Sequence, residues 1–285
     1  MAQDAKSCTG RQARRLPPAT IIGMSELPSP LTDQQVRSYR EYGWTLAPSI
    51  LPAEHLALLR GNAQIAIDKV DAEMDQAGTD VIGINHRGKR YFSTNTSQQQ
   101  PALCDFIFSP LMAGLCRQLL GGEVRVFWEQ YVIKGAETGM SFAWHQDSGY
   151  VSADSAHQPY LTCWVALDDM SPANGTISVL PISRLGIKAR VEHEQDPVTN
   201  DLVGYHGTDP GDQVVCPAGS LALFSSVTFH KSGANTTNRM RRVYLIQYSA
   251  GRILRPDGTP WGRDEVLLTD GRLAQPSRVA TAKAG

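Results

Sequence analysis

The chain has 285 residues, enough for one large domain with a full hydrophobic core. Its 27 basic and 28 acidic residues nearly balance, which gives no electrostatic case for a nucleic-acid or anionic-membrane partner. No apolar run approaches the roughly 20 residues of a membrane-spanning helix, and the N-terminus lacks the apolar segment of a secretion signal. The five scattered cysteines fit reduced thiols, so we expect a cytoplasmic protein.

Up to residue 122 the signals are mostly helical, after a leader of residues 1–28 that is expected to be flexible. Thr32 and Gln35 form a capping box, in which each side chain satisfies a free amide of the first helical turn. Pro52 suits a first-turn position, and Gly121 suits a position after a helix. The predicted elements are a helix from Thr32 to Tyr42, an extended segment Trp44–Ile50, a helix from Pro52 to about Met74 and a helix Ala102–Leu120.

From Glu123 onward the segments become short, rich in β-formers and separated by turn residues. The predicted strands are Val124–Ile133, Tyr160–Leu167, Thr176–Leu180, Gln213–Cys216, Leu221–Thr228 and Arg242–Tyr248. Helices followed by a run of strands predict an α+β chain whose core is a β-sandwich or barrel. We expect one domain over residues 29–263, with a helical cap over about 29–122, a β core over about 123–250 and a partly mobile tail over 264–285.

The most informative motif is His145-Gln146-Asp147, followed downstream by His230. Residues i and i+2 of a strand point the same way, so His145 and Asp147 would share one face. Two imidazoles and one carboxylate suit Fe(II) with open positions for a cosubstrate and O₂. The triplet alone is weak evidence, because such patterns arise by chance and the same ligand set also serves catalytic zinc.

Arg241 strengthens the iron interpretation, because it begins the strand that follows His230. An α-keto acid bound at an open metal site needs a cation for its far carboxylate, and arginine offers two parallel hydrogen bonds. Ser232 can add a hydroxyl to the same carboxylate. A zinc hydrolase does not need a cation for the far carboxylate of a cosubstrate. Of the remaining histidines, only His86 is a candidate pocket residue.

Three ordered blocks resemble the phytanoyl-CoA dioxygenase (PhyH) family of Fe(II)- and 2-oxoglutarate-dependent oxygenases. The blocks are Trp144–Asp147, Trp164–Pro181 and His230–Arg242. The opening segment Leu31–Arg60 is also similar to the N-terminal helices of that family, so the resemblance covers about residues 30 to 250. One departure follows Pro181, where the family usually continues Gly-Ser-His and this chain has Ile-Ser-Arg.

The resemblance implies a double-stranded β-helix, that is, a cupin-like jelly roll, with N-terminal helices. It implies the iron ligands His145, Asp147 and His230, the 2-oxoglutarate ligands Arg241 and Ser232 with Trp164 nearby, and further cosubstrate contacts from Gln130 and Lys134. Related halogenases replace the carboxylate ligand with a small residue, so the retained Asp147 disfavours halogenation.

We therefore expect an oxygenase that hydroxylates an unactivated C–H bond of a small natural-product-type molecule and releases succinate and CO₂. Two alternatives stay open: the same iron chemistry giving desaturation, epoxidation or ring formation, and a jelly-roll protein that binds metal and ligand without turnover. Both a monomer and a homodimer are compatible with the sequence. The expected pocket segments are Asn85–Phe92, Trp144, Ser148–Val151 and Ile182–Ile187, with Arg87, Lys89, Arg90 and Arg184 as candidates to meet an acidic group.

Overall fold

A computed structural model describes residues 27–151, residue 155 and residues 157–274. The helices are α1 (Asp33–Tyr42), α2 (Ala53–Ala77), α3 (Leu103–Ile107), α4 (Pro110–Leu120) and α5 (Ile182–Leu185). The strands are β1 (Trp44–Ala47), β2 (Val81–Ile82), β3 (Asn85–His86), β4 (Arg90–Thr94), β5 (Val124–Lys134), β6 (Phe142–His145), β7 (Leu161–Ala166), β8 (Ile177–Leu180), β9 (Glu194–Gln195), β10 (Leu202–Val203), β11 (Asp212–Gln213), β12 (Leu221–Ser225), β13 (Phe229–Ser232), β14 (Arg241–Ser249), β15 (Glu265–Thr269) and β16 (Arg272–Leu273). Most of the predicted leader lies outside the described residues.

The N-terminal helices begin and end where their capping signals predict. The Thr32 hydroxyl accepts a hydrogen bond from the Gln35 N–H at 3.2 Å, and the Gln35 side chain accepts one from the Thr32 N–H at 2.9 Å. Gly43 ends α1 and Gly78 ends α2, both in the left-handed conformation that favours glycine. The capping box is therefore confirmed, and α2 runs slightly beyond Met74.

The single helix predicted over Ala102–Leu120 is wrong, because the structure divides it into α3 and α4. Pro110 has no N–H to continue the helix, and the Ser109 side chain accepts a hydrogen bond from the Met112 N–H as the cap of α4. The window Leu103–Leu120 is apolar enough to satisfy a membrane-span criterion by length and composition, with a mean hydropathy of 1.3. Because 56% of it is buried within the fold and it is broken in the middle, packing in the core accounts for its apolar character.

The core is a jelly roll, as predicted, made of two antiparallel sheets. The major sheet has ten strands, in the order β1-β12-β7-β14-β5-β4-β3-β2 with β15 beside β5 and β16 beside β15. The minor sheet has the order β11-β8-β13-β6. The major sheet continues past residue 263, where the sequence predicted a tail, since Leu267 and Leu268 of β15 are fully buried. Residues 275–285 of that tail lie outside the described ranges.

Alternation along the central strands separates two environments. On β14, Tyr244, Ile246 and Tyr248 point outward into the core that lies under the helices. Val243 and Leu245 point inward into a second core, between the two sheets. Residues of β14 that lie an even number of positions from Val243, such as Arg241 and Gln247, therefore face the interior of the jelly roll. The candidate site lies in this interior.

Candidate active site

His145, Asp147 and His230 come together at one end of the jelly-roll interior, and all three are buried. His145 and His230 are cross-strand partners on β6 and β13, with ring centroids 4.1 Å apart. Nε2 of His145 lies 3.8 Å from the Asp147 Oδ1 atom, and Nε2 of His230 lies 3.6 Å from it. One ligand atom from each residue thus falls within 4.8 Å of the others, a spacing that can hold one metal ion.

The backbone places Asp147 differently from the sequence prediction. β6 ends at His145, and Asp147 opens a short 3-10 turn instead of continuing the strand. Gln146 between them is extended, with φ −105° and ψ 140°, so its two neighbours still point to the same side. The Gln146 side chain turns away and donates to the Val227 carbonyl at 2.7 Å. Its backbone N–H donates to Nε2 of His193 at 3.0 Å, which fixes the residue between the two candidate ligands.

Both histidine rings are oriented by the backbone behind them. Nδ1 of His145 lies 2.8 Å from the Ala143 carbonyl, and Nδ1 of His230 lies 3.3 Å from the Thr228 carbonyl. These carbonyls favour a proton on Nδ1, which leaves the Nε2 lone pairs directed at the shared centre. Burial, together with the neighbouring His230, lowers the pKa of His145 well below its usual range. A neutral imidazole is the form that binds a metal.

Two residues that the sequence prediction missed hold the carboxylate. The Oδ2 atom of Asp147 accepts hydrogen bonds from the Thr162 hydroxyl and from Nε2 of Gln247, the latter at 3.0 Å. Oδ1 remains directed at the histidines. The alternation of side chains along a strand could have identified both residues, because residues an even number apart point to the same face. Thr162 lies two residues before Trp164, and Gln247 lies six residues after Arg241.

Arg241 begins the same inner row of β14 and is 1% exposed. Its Nη2 atom donates to the Gly175 carbonyl at 2.9 Å, and the guanidinium lies 5.9 Å from the centre of the Trp164 ring. Nε and Nη1 are buried and have no hydrogen-bond acceptor within the described residues. Burial lowers the pKa of Arg241 to about 10. A buried guanidinium with two free donors fits a bound carboxylate.

Lys134 lies beside this guanidinium, and Ser232 adjoins Gly233, whose carbonyl accepts a hydrogen bond from Lys134. Lys134 is the cross-strand partner of Arg241, and its Nζ atom donates to the carbonyls of Met140, at 2.6 Å, and Gly233. Burial and the nearby Arg241 lower the pKa of Lys134 to about 5. Ser232 is buried on β13, two residues after His230 and next to Gly233. The structure thus brings four of the five predicted cosubstrate residues into one region. They are Arg241, Lys134, Ser232 and Trp164.

Gln130 lies apart from that cluster, on the wall of a cavity of about 300 Å³ that His145 and Asp147 also line. The cavity wall is rich in Phe, Tyr and Trp side chains, which make up seven of its fifteen lining residues. Its aromatic residues are Phe92, Phe127, Trp128, Phe142, Tyr150, Tyr160 and Trp261. A concave, mainly apolar space beside a metal-ligand cluster is typical of a substrate pocket.

The expected pocket was only partly correct. Asn85, Phe92, Tyr150 and Val151 line the cavity, whereas the 182–187 segment contributes no lining residue. Trp144 faces the other side of the minor sheet, where the Lys231 ammonium lies 4.7 Å from the centre of its ring. The prediction that Trp144 lines the pocket is therefore wrong, because Trp144 and His145 are neighbours on β6 and neighbours on a strand point to opposite faces.

The predicted basic contacts for an acidic substrate are engaged elsewhere. Arg90 is fully buried in an ion pair with Asp201 at 2.7 Å, and it also donates to backbone carbonyls. Arg87 forms ion pairs with aspartates that include Asp80, and Arg184 does so with Asp209. Neither these three arginines nor the exposed Lys89 lines the cavity.

Comparison with known proteins settles the class of this fold and site. The model of the family described as "Phytanoyl-CoA dioxygenase (PhyH)" matches residues 39–243, well over half of the chain. The chain belongs to this family. It is a non-haem iron, 2-oxoglutarate-dependent oxygenase with a jelly-roll core, as the sequence predicted.

Several relatives and solved structures are similar to this PhyH-family chain. It is 25% identical over 260 residues to an ectoine dioxygenase of Bordetella parapertussis, which covers 83% of this chain and 81% of the relative. It is 26% identical over 245 residues to an L-proline trans-4-hydroxylase of Streptomyces griseoviridis, covering 78% and 87%. The carbocyclase SnoK from nogalamycin biosynthesis shares the fold at a TM-score of 0.63, with 20% identity over 84% of this chain and 96% of that chain.

Proposed function

We propose that this PhyH-family oxygenase hydroxylates a C–H bond of a small, mainly apolar organic molecule, with His145, Asp147 and His230 as the iron ligands. The observation that carries the proposal is the convergence of two imidazole Nε2 atoms and one carboxylate oxygen beside an aromatic cavity. The donor set fits Fe(II), because nitrogen and carboxylate oxygen from one side leave the other positions open.

We propose that Arg241 binds the far carboxylate of 2-oxoglutarate. Its buried Nε and Nη1 donors, which have no acceptor among the described residues, support this role, since each would otherwise cost about 1–3 kcal/mol. Ser232 and Trp164 would form the walls of the same pocket, and Lys134 would hold the Met140 and Gly233 carbonyls that shape it. Gln130 is better placed for the substrate than for the cosubstrate, because it lines the cavity.

When bound, iron and 2-oxoglutarate supply the oxidative chemistry, in which substrate, 2-oxoglutarate and O₂ give hydroxylated product, succinate and CO₂. The residues of this chain bind and orient. Thr162 and Gln247 fix the Oδ2 atom of Asp147 and so direct Oδ1 toward the metal position. The aromatic walls exclude water and hold the substrate beside that position.

The thiols support our further proposal that the enzyme acts in the cytoplasm. Four of the five cysteines, namely Cys104, Cys116, Cys163 and Cys216, lie in the described ranges and form no disulfide there. Three of these four are buried, and free buried thiols are typical of a reducing compartment.

The test incubates the full chain with Fe(II), 2-oxoglutarate, O₂ and a panel of neutral ring compounds, with ectoine and L-proline as further arms. Succinate release and product mass are measured together. A product heavier by one oxygen atom, formed in step with succinate, would support hydroxylation. A product lighter by two hydrogen atoms would indicate desaturation. Absence of substrate-stimulated succinate across the panel would contradict the proposal and favour a binding protein.

A further inference from the structure

One residue that lines the cavity, Trp261, carries a polar group that the proposed reaction does not use, its indole N–H. The residue lines the cavity, yet its Nε1 atom is buried and has no acceptor among the described residues. The other tryptophan of the cavity is different, because Nε1 of Trp128 donates to the Gln130 side chain at 3.2 Å. A buried donor without an acceptor is unfavourable, which indicates that a ligand supplies the missing acceptor.

Trp261 is held rigidly by the loop that precedes it. Its backbone N–H donates to the Ile253 carbonyl at 2.9 Å. The Arg255 guanidinium lies 5.0 Å from the centre of its ring and donates to its carbonyl at 2.9 Å. At the next residue, a Cβ on Gly262 would fall 2.4 Å from the Phe127 carbonyl oxygen, so only glycine allows the loop to lie this close to β5. The ring is therefore positioned before any ligand binds.

The chemistry around the ring defines what can fill the space. Among the described lining residues there is no lysine, arginine or glutamate, and the titratable groups with a metal-binding geometry are His145 and Asp147. The Asp147 carboxylate is already held by Thr162 and Gln247 and directed at the histidines. A charged substrate would therefore lose hydration there without a free partner of opposite charge, whereas a neutral ring would gain contact with the aromatic walls. Trp261 also lies outside the 39–243 range that the family model matches.

We propose that Trp261 is a specificity-determining residue, and that the substrate is a neutral, mainly apolar ring compound whose carbonyl or hydroxyl oxygen accepts a hydrogen bond from the Trp261 indole. The proposal rests on the proposed function, since the same cavity presents the substrate to the iron ligands. It adds a required feature to that substrate, namely one oxygen atom that accepts a hydrogen bond from the Trp261 indole.

The test uses two probes of similar shape, 1-tetralone with a carbonyl oxygen and tetralin without it. Indole N–H resonances of the metal-free full chain are recorded, and the Trp261→Phe variant identifies which of the five tryptophan signals belongs to Trp261. We expect 1-tetralone to shift that signal and tetralin to leave it nearly unchanged. We also expect Trp261→Phe to weaken 1-tetralone binding about fivefold, the value of one neutral hydrogen bond, with a much smaller effect on tetralin.

Trp128→Phe is the matched control, because the Trp128 N–H already has a protein acceptor. It should change the affinities of both probes by a similar factor and preserve the preference for 1-tetralone. A Trp261 signal that does not respond to 1-tetralone at its solubility limit would overturn the proposal, as would equal weakening of both probes by Trp261→Phe. The shift is measured on the wild-type chain, so it does not depend on the stability of a variant. A normal shift without any succinate formation would contradict the proposed function alone.

Discussion

The two faces of the major sheet bury polar groups in opposite ways. On the outer face, the Glu129 carboxylate accepts hydrogen bonds from the Tyr244 hydroxyl at 2.8 Å and from the Ser97 backbone and hydroxyl, each at 2.9 Å. The Tyr131 hydroxyl of the same face donates to the Leu59 carbonyl of α2 at 2.8 Å. On the inner face, Arg241 is equally buried but keeps two N–H groups without an acceptor in the described residues.

This difference separates polar groups that stabilise the fold from polar groups that await a ligand. A buried polar group lowers stability unless it is paired. The outer groups named above have hydrogen-bond partners within the protein, and the bond from Tyr131 to Leu59 connects α2 to the sheet. On the inner face, the Nε and Nη1 donors of Arg241 have no acceptor among the described residues and would be paired only by a bound molecule. Substitutions of the paired outer groups should therefore change the free energy of unfolding, and substitution of Arg241 should change ligand binding and turnover.

The largest effect is expected for Asp147→Ala. The variant removes the charged member of the proposed iron ligands, and since changes around metal ligands already cost about 10–100-fold, turnover should fall by more than about 100-fold. The measurement is succinate formation in the presence of a substrate. Asp105→Ala, which removes an exposed carboxylate on α3, should keep normal activity. Retained coupled succinate release in Asp147→Ala would remove this residue from the site.

Arg241→Met should come next, with the KM for 2-oxoglutarate raised roughly 10- to 100-fold by the loss of charge-assisted hydrogen bonds. Arg241→Lys should fall between this variant and wild type, because lysine keeps the charge but lacks the planar fork. Steady-state kinetics with varied 2-oxoglutarate would measure both. The exposed Arg239→Lys is the control. An unchanged KM in Arg241→Met would mean that the unpaired donors of the inner face serve another ligand.

On the outer face, Tyr244→Phe should lower the free energy of unfolding by about 2 kcal/mol, since it removes a donor to the buried Glu129 carboxylate. The KM for 2-oxoglutarate should stay within about twofold of wild type, because Tyr244 points away from the jelly-roll interior. Urea unfolding and steady-state kinetics on the same preparation test both statements. Tyr42→Phe, at an exposed site, is the stability control. A large change in the KM for 2-oxoglutarate with normal stability in Tyr244→Phe would contradict the assignment of Tyr244 to the face that stabilises the fold.

The last prediction concerns pH and Lys134, whose pKa is lowered to about 5 by burial, Arg241 and Arg90. Between this value and the unfolded pKa of about 10.4, the unfolded chain binds one more proton than the folded chain, so this group makes stability rise with pH. Lys134→Met should therefore reduce the increase in unfolding free energy between pH 6 and pH 9 by roughly 1 kcal/mol per pH unit. The exposed Lys89→Met should leave the slope unchanged. Equal slopes for wild type and Lys134→Met would mean that Lys134 remains charged in the fold.

Local signals were sufficient where the chemistry depends on neighbours in the chain. Thr32 and Gln35 cap α1 as predicted, because a capping box involves a single helical turn. The break between α3 and α4 also had a local signal, namely a serine cap followed by a proline at the first helical position. The continuous apolar pattern of the segment outweighed this signal in the prediction. The role of Arg90 was misjudged because its partner, Asp201, comes from a distant segment of the chain.

The cavity wall shows most clearly what local signals lack. Phe127 and Trp128 are consecutive on β5, yet both line the cavity. The register between β14 and β5 shifts there, with Gln247 opposite Trp128 and Tyr248 opposite Val126, so Phe127 is the extra residue of a bulge. A bulge adds one residue to a strand and so directs an additional side chain to the same face. The regular alternation of side chains between the two faces, on which strand predictions depend, ends at that point.

The sequence by itself determined the fold class, the reaction class and the chemistry of the candidate ligands, because residue types and spacing limit which metal and cosubstrate can bind. Only the tertiary structure decided which donors are already paired within the protein and which face a cavity unpaired. Thr162 and Gln247 hold Asp147 from two other strands, and Trp261 enters the cavity from a loop beyond the matched family region. Pairing depends on groups that are far apart in the chain, so no local pattern encodes the contacts proposed here for substrate recognition.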